Sequence, residues 1–464
     1  MDMLRSQFNV IFVSYFLLLF MLVIFCPYYV NYIILWVLIG TVYLFFVKLL
    51  PTSWLYSRLE KINTMHLIIV LIVLSIILRL VFLPQKPLLS TDLEHAYVAR
   101  SQNMLNGMVP YRDFAVNKPP LFANMLYFMG LSFGAGQIQF RIFFVVIDAF
   151  ISVVIYYIGL NIWDKKAGLV AGLAYVFCPI ALVEIGYSGH YDSVPTLFVL
   201  LSILFLLKKK PVESGIFLGI ASALKIYSII LLPFYLVWLG TWKERRNYAI
   251  AYLIPLILSV IPILILYPRG LLDYLTYQTV NWEPWGMITG TIVKMFGASI
   301  FGLKITMLIL VVFAVIILSM LYLTWVKKKQ PFETWFTLII LSLIFALVIL
   351  VLYQISSYLN LVLLSVIVIV SIVLIALAYS PIKRFLDNKI PHGKQDLLVV
   401  SLFATMFLII SSPQFHPWYL IWMVPFVLLL QTKEVKWFFL TLFVYLAMSE
   451  YLGNPSFFNA FMYP

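Results

Sequence analysis

The chain has 464 residues, of which 64% are hydrophobic and only 11% are charged. With a mean hydropathy of +1.05, it has too little polar surface to fold around one water-soluble core. The net charge of +13 does not indicate nucleic acid as a partner, because the lysines and arginines lie in short clusters between apolar runs, as topology signals do. The sequence therefore predicts an all-α polytopic membrane protein.

Apolar runs fill nearly the whole chain. A membrane-spanning helix needs about 20 apolar residues, so these runs predict about 13 to 15 membrane helices in one domain, residues 1–464. The start, MDMLRSQ, lacks a small-residue cleavage site before the first run and predicts a retained signal anchor. The predicted spans lie near 8–26, 29–47, 66–84, 138–160, 167–185, 193–207, 248–267, 300–326, 332–353, 358–379, 397–412, 418–430 and 437–452.

The remaining apolar stretch, residues 212–240, lies between two basic clusters, Lys208-Lys209-Lys210 and Lys243-Glu244-Arg245-Arg246. Both clusters favour the cytoplasmic side, so a single crossing violates the positive-inside tendency. Two half-length helices that meet at a bend near Leu224-Lys225 would leave both clusters on the cytoplasmic side. With the basic clusters in the cytoplasm, the two long loops 85–137 and 268–299 lie on the outer side.

The first outer loop carries an unusually polar stretch, residues 90–120. Its segment 92–106 is predicted to form an interfacial helix that Gly107 ends, with Asp92 and His95 on one face. Under partial desolvation, Asp92 is expected to have a raised pKa and to act as the general base for an acceptor hydroxyl.

Helix capping is the alternative role for Asp92, and Ser90 and Thr91 are competing caps. Cations predicted on the outer side, among them Arg79 and Arg141, oppose the insertion bias. Their position is interpreted as a requirement for binding an anionic headgroup.

Several short motifs follow one another on the predicted outer side. They are Leu78-Arg79-Leu80, Thr91-Asp92, the run 107–113, Lys118-Pro119-Pro120-Leu121, the run 189–193, the glycine-rich run 215–225 and the run 413–420. In order and spacing these motifs resemble the GT-C superfamily of membrane glycosyltransferases, whose sugar donors are polyprenyl or dolichyl phosphates, and most closely its mannosyltransferase-like members. The resemblance covers most of the chain, and it implies that residues 1–65 form an additional N-terminal helical hairpin.

The resemblance implies a GT-C-like helical bundle and an inverting transfer of one sugar, with mannose indicated, to a lipid-linked or glycolipid acceptor. Asp92 matches the first-loop aspartate that serves as general base in such enzymes. The cations implied for the donor phosphate are Lys118, Lys225 and Arg269. Each also has a neutral interpretation: Lys118 ends a rigid loop, Lys225 snorkels to water, and Arg269 occupies an ordinary interfacial position.

Contacts to the sugar or the acceptor are assigned to His95, Tyr111, His190, Asp192, Glu283, Trp285, Gln414 and His416. Interfacial anchoring is the competing role for Trp285. His190, Asp192 and His416, together with Asp92, are also the groups that would hold a divalent cation, although no metal motif such as His-Glu-x-x-His is present. No cofactor is required by this interpretation. Gly215 and Gly219 indicate close helix packing rather than a ligand.

Two other functions remain open from the sequence. A transporter or lipid flippase also has many spans, a broken hairpin and charges at membrane level, although the sequence shows no internal repeat. The second alternative function is that of a non-catalytic subunit of a glycosylation complex. The expected location is the cell membrane with an extracytoplasmic active site, or the lumenal face of the endoplasmic reticulum in a eukaryote.

Overall fold

The computed structural model describes residues 29–84, 92–270, 393–411 and 416–430, together with residues 436 and 440. Every regular element in this part of the chain is helical. The α-helices in the first half are α1 (Tyr29–Leu49), α2 (Trp54–Leu59), α3 (Thr64–Leu80), α4 (Ala99–Leu105), α5 (Pro120–Phe133), α6 (Gln137–Ile162) and α7 (Lys165–Val176). The later ones are α8 (Pro179–Ala181), α9 (Ser193–Leu207), α10 (Pro211–Leu224), α11 (Leu232–Trp238), α12 (Trp242–Leu266), α13 (Lys394–Ser411) and α14 (Val424–Leu429).

Two of these helices, α6 and α12, are long and apolar enough to cross a membrane. A third crossing is formed if α7 and the segment Pro179–Tyr187, which meet at a bend of 42°, count as one span. The described residues also contain six shorter apolar helices of 10 to 17 residues. The prediction of an all-α polytopic membrane protein is confirmed. Much of the chain on which the count of 13 to 15 helices depends lies outside the described residues.

The chain divides into two compact units. The first contains the described residues up to 229, from 250 to 270 and from 416 onward, and the second contains 230–249 and 393–411. Within the second unit, Tyr235 on α11 and Ser401 on α13 share a hydrogen bond of 2.8 Å between their hydroxyls. Arg245 donates to the carbonyls of Leu236 and Leu239 and so holds the turn between α11 and α12.

The loop that is predicted to lie on the outer side contains the predicted helix, but the form of this helix differs from the expectation. Residues 92–98 are π-helical, and the α-helix α4 follows and ends before Gly107, whose φ of +84° favours glycine. The loop also contains α5, which leaves the apolar side chains Tyr127, Phe128 and Leu131 exposed. An exposed apolar face of this kind is typical of a helix that lies against the membrane interface.

The break predicted at Leu224-Lys225 is present. Helix α10 ends at Leu224, Lys225 has an extended backbone, and a 3-10 helix begins at Ile226. Gly219 confirms the packing interpretation of the GxxxG pair, because a Cβ there would lie 2.3 Å from the carbonyl oxygen of Tyr252 on α12. The re-entrant path of the hairpin stays a prediction.

Two of the cations that are predicted on the outer side, Arg79 and Arg141, bind groups of the protein itself. Arg79 forms a fully buried ion pair with Asp148, which also accepts a hydrogen bond of 2.6 Å from the hydroxyl of Tyr175. Arg141 donates to the carbonyls of Phe82 and Gly186 at 2.6 and 2.8 Å. The interpretation of these two arginines as headgroup ligands is therefore wrong. Both arginines join helices and loops. Sequence reasoning missed Asp148, the partner of Arg79, which lies in the middle of an apolar run.

Candidate active site

Asp92 is the first residue of the π-helix Asp92–Val98. The helix is anchored by Leu93 and Tyr97, both nearly fully buried, and the Tyr97 ring packs edge-on against Phe122 and Tyr191. Asp92 itself is half-buried. Its carboxylate makes no hydrogen bond or ion pair with any other residue in the described part of the chain. It therefore lacks the backbone hydrogen bond that defines a cap.

The pKa of Asp92 lies below its ordinary value. Burial raises this pKa, but His190, Lys118, His416 and Lys225 lower it, and together they outweigh burial. The expectation of a raised pKa is therefore wrong. The groups that lower the pKa come from other segments of the chain, so their position near Asp92 was not visible in the sequence. Asp92 is ionised at neutral pH and can accept a proton.

Lys118 lies just before α5, whose first residue is Pro120. Its backbone is held by Tyr111, which has a φ of +69° and whose hydroxyl donates to the Lys118 carbonyl at 2.8 Å. The ammonium of Lys118 has neither a hydrogen bond nor an ion pair with another described residue. Burial lowers its pKa, while the charges of Asp92 and Asp192 act in the opposite direction. It is a cation close to two carboxylates and open to an anion.

The turn at Gly189 brings His190 and Asp192 into the site. Gly189 has a φ of +72°, and a Cβ there would lie 2.8 Å from Cγ of Arg141 and 3.1 Å from a Leu93 methyl group. Only glycine fits between these side chains without displacing them. The turn therefore passes directly beside the helix that carries Asp92.

Asp192 precedes α9 but does not cap it with its side chain. Its Oδ1 instead accepts from Nζ of Lys225 at 2.5 Å and from Nε1 of Trp422 at 2.7 Å. Its Oδ2 is buried and has no partner in the described part of the chain. Asp192 is thus fixed through one oxygen and free to accept a hydrogen bond through the other.

Lys225 lies in an aromatic cage. Its Nζ is 5.1, 4.8 and 4.6 Å from the ring centroids of Tyr191, Tyr419 and Trp422. Trp422 is itself stacked between Tyr419, at 4.4 Å, and Tyr227, at 3.8 Å. Lys225 is only 8% exposed, so its head group does not snorkel to water.

A second aromatic stack holds the two histidines. Trp418 lies between His190 and His416, with ring centroids 3.9 and 4.2 Å apart. Nε2 of His190 is 3.7 Å from a carboxylate oxygen of Glu184, whereas its buried Nδ1 has no partner among the described residues. Burial lowers the pKa of His190 to about 4, against the opposing charges of Asp92 and Asp192. His190 is therefore neutral at neutral pH.

The other predicted residues are less central. His95 is exposed. Arg269 is also exposed, on a segment that returns to the first loop, since a Cβ on Gly270 would lie 3.5 Å from Cβ of Tyr111. The described residues contain no cluster of three or more His, Cys, Asp or Glu side chains that is suited to a metal ion. Glu283, Trp285 and Gln414 lie outside the described residues.

Sequence reasoning missed four residues that shape this site: Tyr191, Trp418, Tyr419 and Trp422. All are aromatic and lie in or next to two motifs that were noted for other residues. Tyr419 and Trp422 are three residues apart on the 3-10 helix Pro417–Trp422, where such positions lie one above the other. That spacing is the signal that points to Trp422.

Comparison with known proteins identifies the family of the chain. The chain matches glycosyltransferase family 87 over residues 118–352, just over half of its length. It is also 27% identical over 218 residues to GPI mannosyltransferase 1 of Debaryomyces hansenii, a match that covers 41% of this chain and 51% of that protein. The chain therefore spans about half the length of this curated relative. The matches confirm the resemblance to membrane glycosyltransferases: the chain belongs to glycosyltransferase family 87.

Proposed function

We propose that this glycosyltransferase transfers mannose, with inversion, from a polyprenyl-phosphate donor to a hydroxyl of a lipid-linked or glycolipid acceptor. The observation that carries the proposal is the pairing of Asp92, an ionised carboxylate without a partner in the described part of the chain, with the similarly open ammonium of Lys118. A base for the acceptor and a cation for the leaving phosphate are the two groups that this reaction needs. The name of the yeast relative supports mannose as the sugar.

Asp92 removes the proton from the acceptor hydroxyl as that oxygen attacks the anomeric carbon. The bond between this carbon and the phosphate oxygen breaks, and the electron pair leaves with the polyprenyl phosphate. Lys118 stabilises the negative charge that develops on the phosphate. Arg269, on the exposed segment beside Tyr111, is the second cation that we assign to the phosphate.

Asp192 and His190 bind sugar hydroxyls in this proposal. Asp192 Oδ2 accepts a hydrogen bond from a sugar hydroxyl, and Nδ1 of His190, which has no partner among the described residues, supplies a further polar contact. Since Oδ1 of Asp192 takes up the ammonium of Lys225, we infer that Lys225 positions Asp192 rather than binding phosphate directly. His416 faces the same space through its stack with Trp418.

The membrane location follows from the apolar helices, and we place the active site on the extracytoplasmic face. The support is the charge distribution of the sequence, which predicts that the loop with Asp92 and Lys118 lies on the side opposite the basic clusters. In a eukaryote this is the lumenal face of the endoplasmic reticulum.

The donor and the acceptor are tested with the purified full chain, a membrane lipid extract as acceptor source and radiolabelled sugar donors. Polyprenyl-phosphate mannose is expected to label a lipid product, and polyprenyl-phosphate glucose and nucleotide-linked mannose are not. The configuration of the product, read with α- and β-specific mannosidases, is expected to be opposite to that of the donor. Labelling from the nucleotide sugar alone, or retention of configuration, would overturn the proposal.

A further inference from the structure

A second polar feature lies at the other end of α6 from the candidate active site. The active site adjoins the N-terminal end of this helix, where Arg141 contacts Gly186 and Gly189. At the C-terminal end, Trp163 lines a cavity of about 690 Å³. At 1.5 Å per residue, the helix rises about 33 Å from Arg141 to Trp163. This rise is close to the hydrocarbon thickness of about 30 Å, so the two features lie at opposite membrane faces.

The walls of this cavity are amphipathic. Three lysines and one carboxylate contribute charge, and the remaining wall is aromatic or apolar. The charged residues are Lys48, Lys166, Lys436 and Asp164, and Trp163 is the aromatic one. The excess of two positive charges lies on the face that the basic clusters predict to be cytoplasmic.

The described residues form no ion pair that neutralises the positive charge of the cavity. None of Lys48, Lys166 and Lys436 has an ion-pair partner in the described part of the chain. The carboxylate of Asp164 accepts from the backbone N–H of Ala167 at 2.7 Å and so caps α7. Burial lowers the pKa of Lys436 to about 8, because removal from water disfavours the charged form.

Two hydrogen bonds fix the floor of the cavity. Nε1 of Trp163 donates to the carbonyl of Leu429 at 3.0 Å, and Nζ of Lys436 donates to that of Leu428 at 2.9 Å. Lys436 keeps two further N–H donors. Lys48 and Lys166 are exposed, and the ammonium of Lys166 lies over the face of Tyr56, 5.5 Å from the ring centroid. The lysines are therefore available to a ligand without breaking a structural ion pair.

We propose that this cavity binds a phosphate group in the membrane face opposite the active site, independently of the glycosyl transfer. Basic cavities at the cytoplasmic ends of membrane helices suit lipid phosphates, because the lysines meet the headgroup and the apolar wall meets the glycerol and acyl region. Val47, Val170 and Leu430 supply that wall here. The phosphate has two sources to distinguish, an anionic phospholipid and a soluble phosphate.

The test uses the full chain in detergent and the ligand-induced shift of the melting temperature. The probes are dioctanoyl phosphatidylglycerol, dioctanoyl phosphatidylcholine and inorganic phosphate. K48Q/K166Q removes two cavity charges, and K208Q/K209Q removes two from a basic cluster that is not part of the cavity. K48R/K166R changes the same two side chains but keeps their charge, so it distinguishes an effect of lost charge from an effect of misfolding.

Phosphatidylglycerol is expected to stabilise the wild-type chain, and K48Q/K166Q is expected to bind it about 10- to 30-fold more weakly, as two lysines near an anionic headgroup imply. K208Q/K209Q and K48R/K166R should stay close to wild type. Inorganic phosphate as effective as the lipid, with the same loss in K48Q/K166Q, would assign the site to a soluble phosphate. Equal responses of K48Q/K166Q and K208Q/K209Q, or no response to either phosphate source, would overturn the site.

Discussion

Nζ of Lys225 lies 2.5 Å from Oδ1 of Asp192, and this buried ion pair joins two segments that are 33 residues apart. The indole N–H of Trp422 reaches the same oxygen from 230 residues away. The second oxygen of Asp192 stays without a partner in the described part of the chain. One carboxylate is thus fixed in place and still open to a hydroxyl.

Removing one member of this pair is expected to cost more stability than removing both. K225M leaves the charge of Asp192 buried and uncompensated, which destabilises a protein by about 3 to 5 kcal/mol. K225M/D192N should recover most of that stability, measured as the melting temperature in detergent. Turnover should stay low in both variants, because the double variant lacks the carboxylate. A double variant less stable than K225M would contradict the account.

Trp422 is expected to contribute through its N–H as well as through its ring. W422F keeps an aromatic ring but removes the donor to Asp192, and hydrogen bonds to charged groups are worth about 1.5 to 3 kcal/mol. W238F is the matched control, because the buried indole N–H of Trp238 has no partner among the described residues. W422F should lose clearly more stability than W238F. Its turnover should also be lower, because Asp192 loses a hydrogen bond that holds it in place. Equal stability losses in W422F and W238F would show that the hydrogen bond from Trp422 to Asp192 does not stabilise the fold.

Lys118 is expected to act on the donor phosphate. K118A should lower kcat/KM for the donor by about 10²-fold, a typical cost of losing one group that stabilises developing charge. K118R keeps the positive charge and should retain more activity, while K209A, which removes an exposed lysine outside the site, should behave as wild type. A normal kcat/KM for K118A would show that Lys118 does not act on the donor phosphate and would leave Arg269 as the assigned cation.

His190 should make stability depend on pH. Its pKa is about 4 in the folded chain and about 6.5 when unfolded, so only the unfolded chain binds this proton between those values. Stability is therefore lost as pH falls from about 6.5 towards 4, by about 3 kcal/mol in total. H190Q should lose this contribution, so its melting temperature should fall less over the same range. Parallel pH profiles for wild type and H190Q would show that His190 is protonated in the folded chain.

Much of the architecture was predictable, because it follows from the length and charge of apolar runs. The break at Lys225 illustrates this: two basic clusters on either side of one apolar stretch required it, and α10 does end at Leu224. Similarly, Gly107 ends the helix that carries Asp92. These features depend on neighbouring residues alone.

The interior of the site was less predictable, because its contacts join distant segments. Sequence reasoning placed Asp92 correctly at the start of a helix but expected a raised pKa, since it considered burial and not the cations that surround the carboxylate. It named Asp192 and Lys225 but assigned them separate ligands, whereas the two bind each other. Trp422 lies in the predicted span 418–430, and its hydrogen bond to Asp192, 230 residues away, does not follow from neighbouring residues.

The role of Asp92 as general base is the central claim, and turnover per folded molecule of D92N tests it most directly. D92N keeps the size and most of the hydrogen bonding but cannot take up the acceptor proton, so turnover should fall at least about 10²-fold with the fold intact. E94Q is the matched control, because Glu94 lies two residues away with an exposed side chain, and it should remain close to wild type. Turnover of D92N near the wild-type value would contradict the account and leave Asp192 as the candidate base.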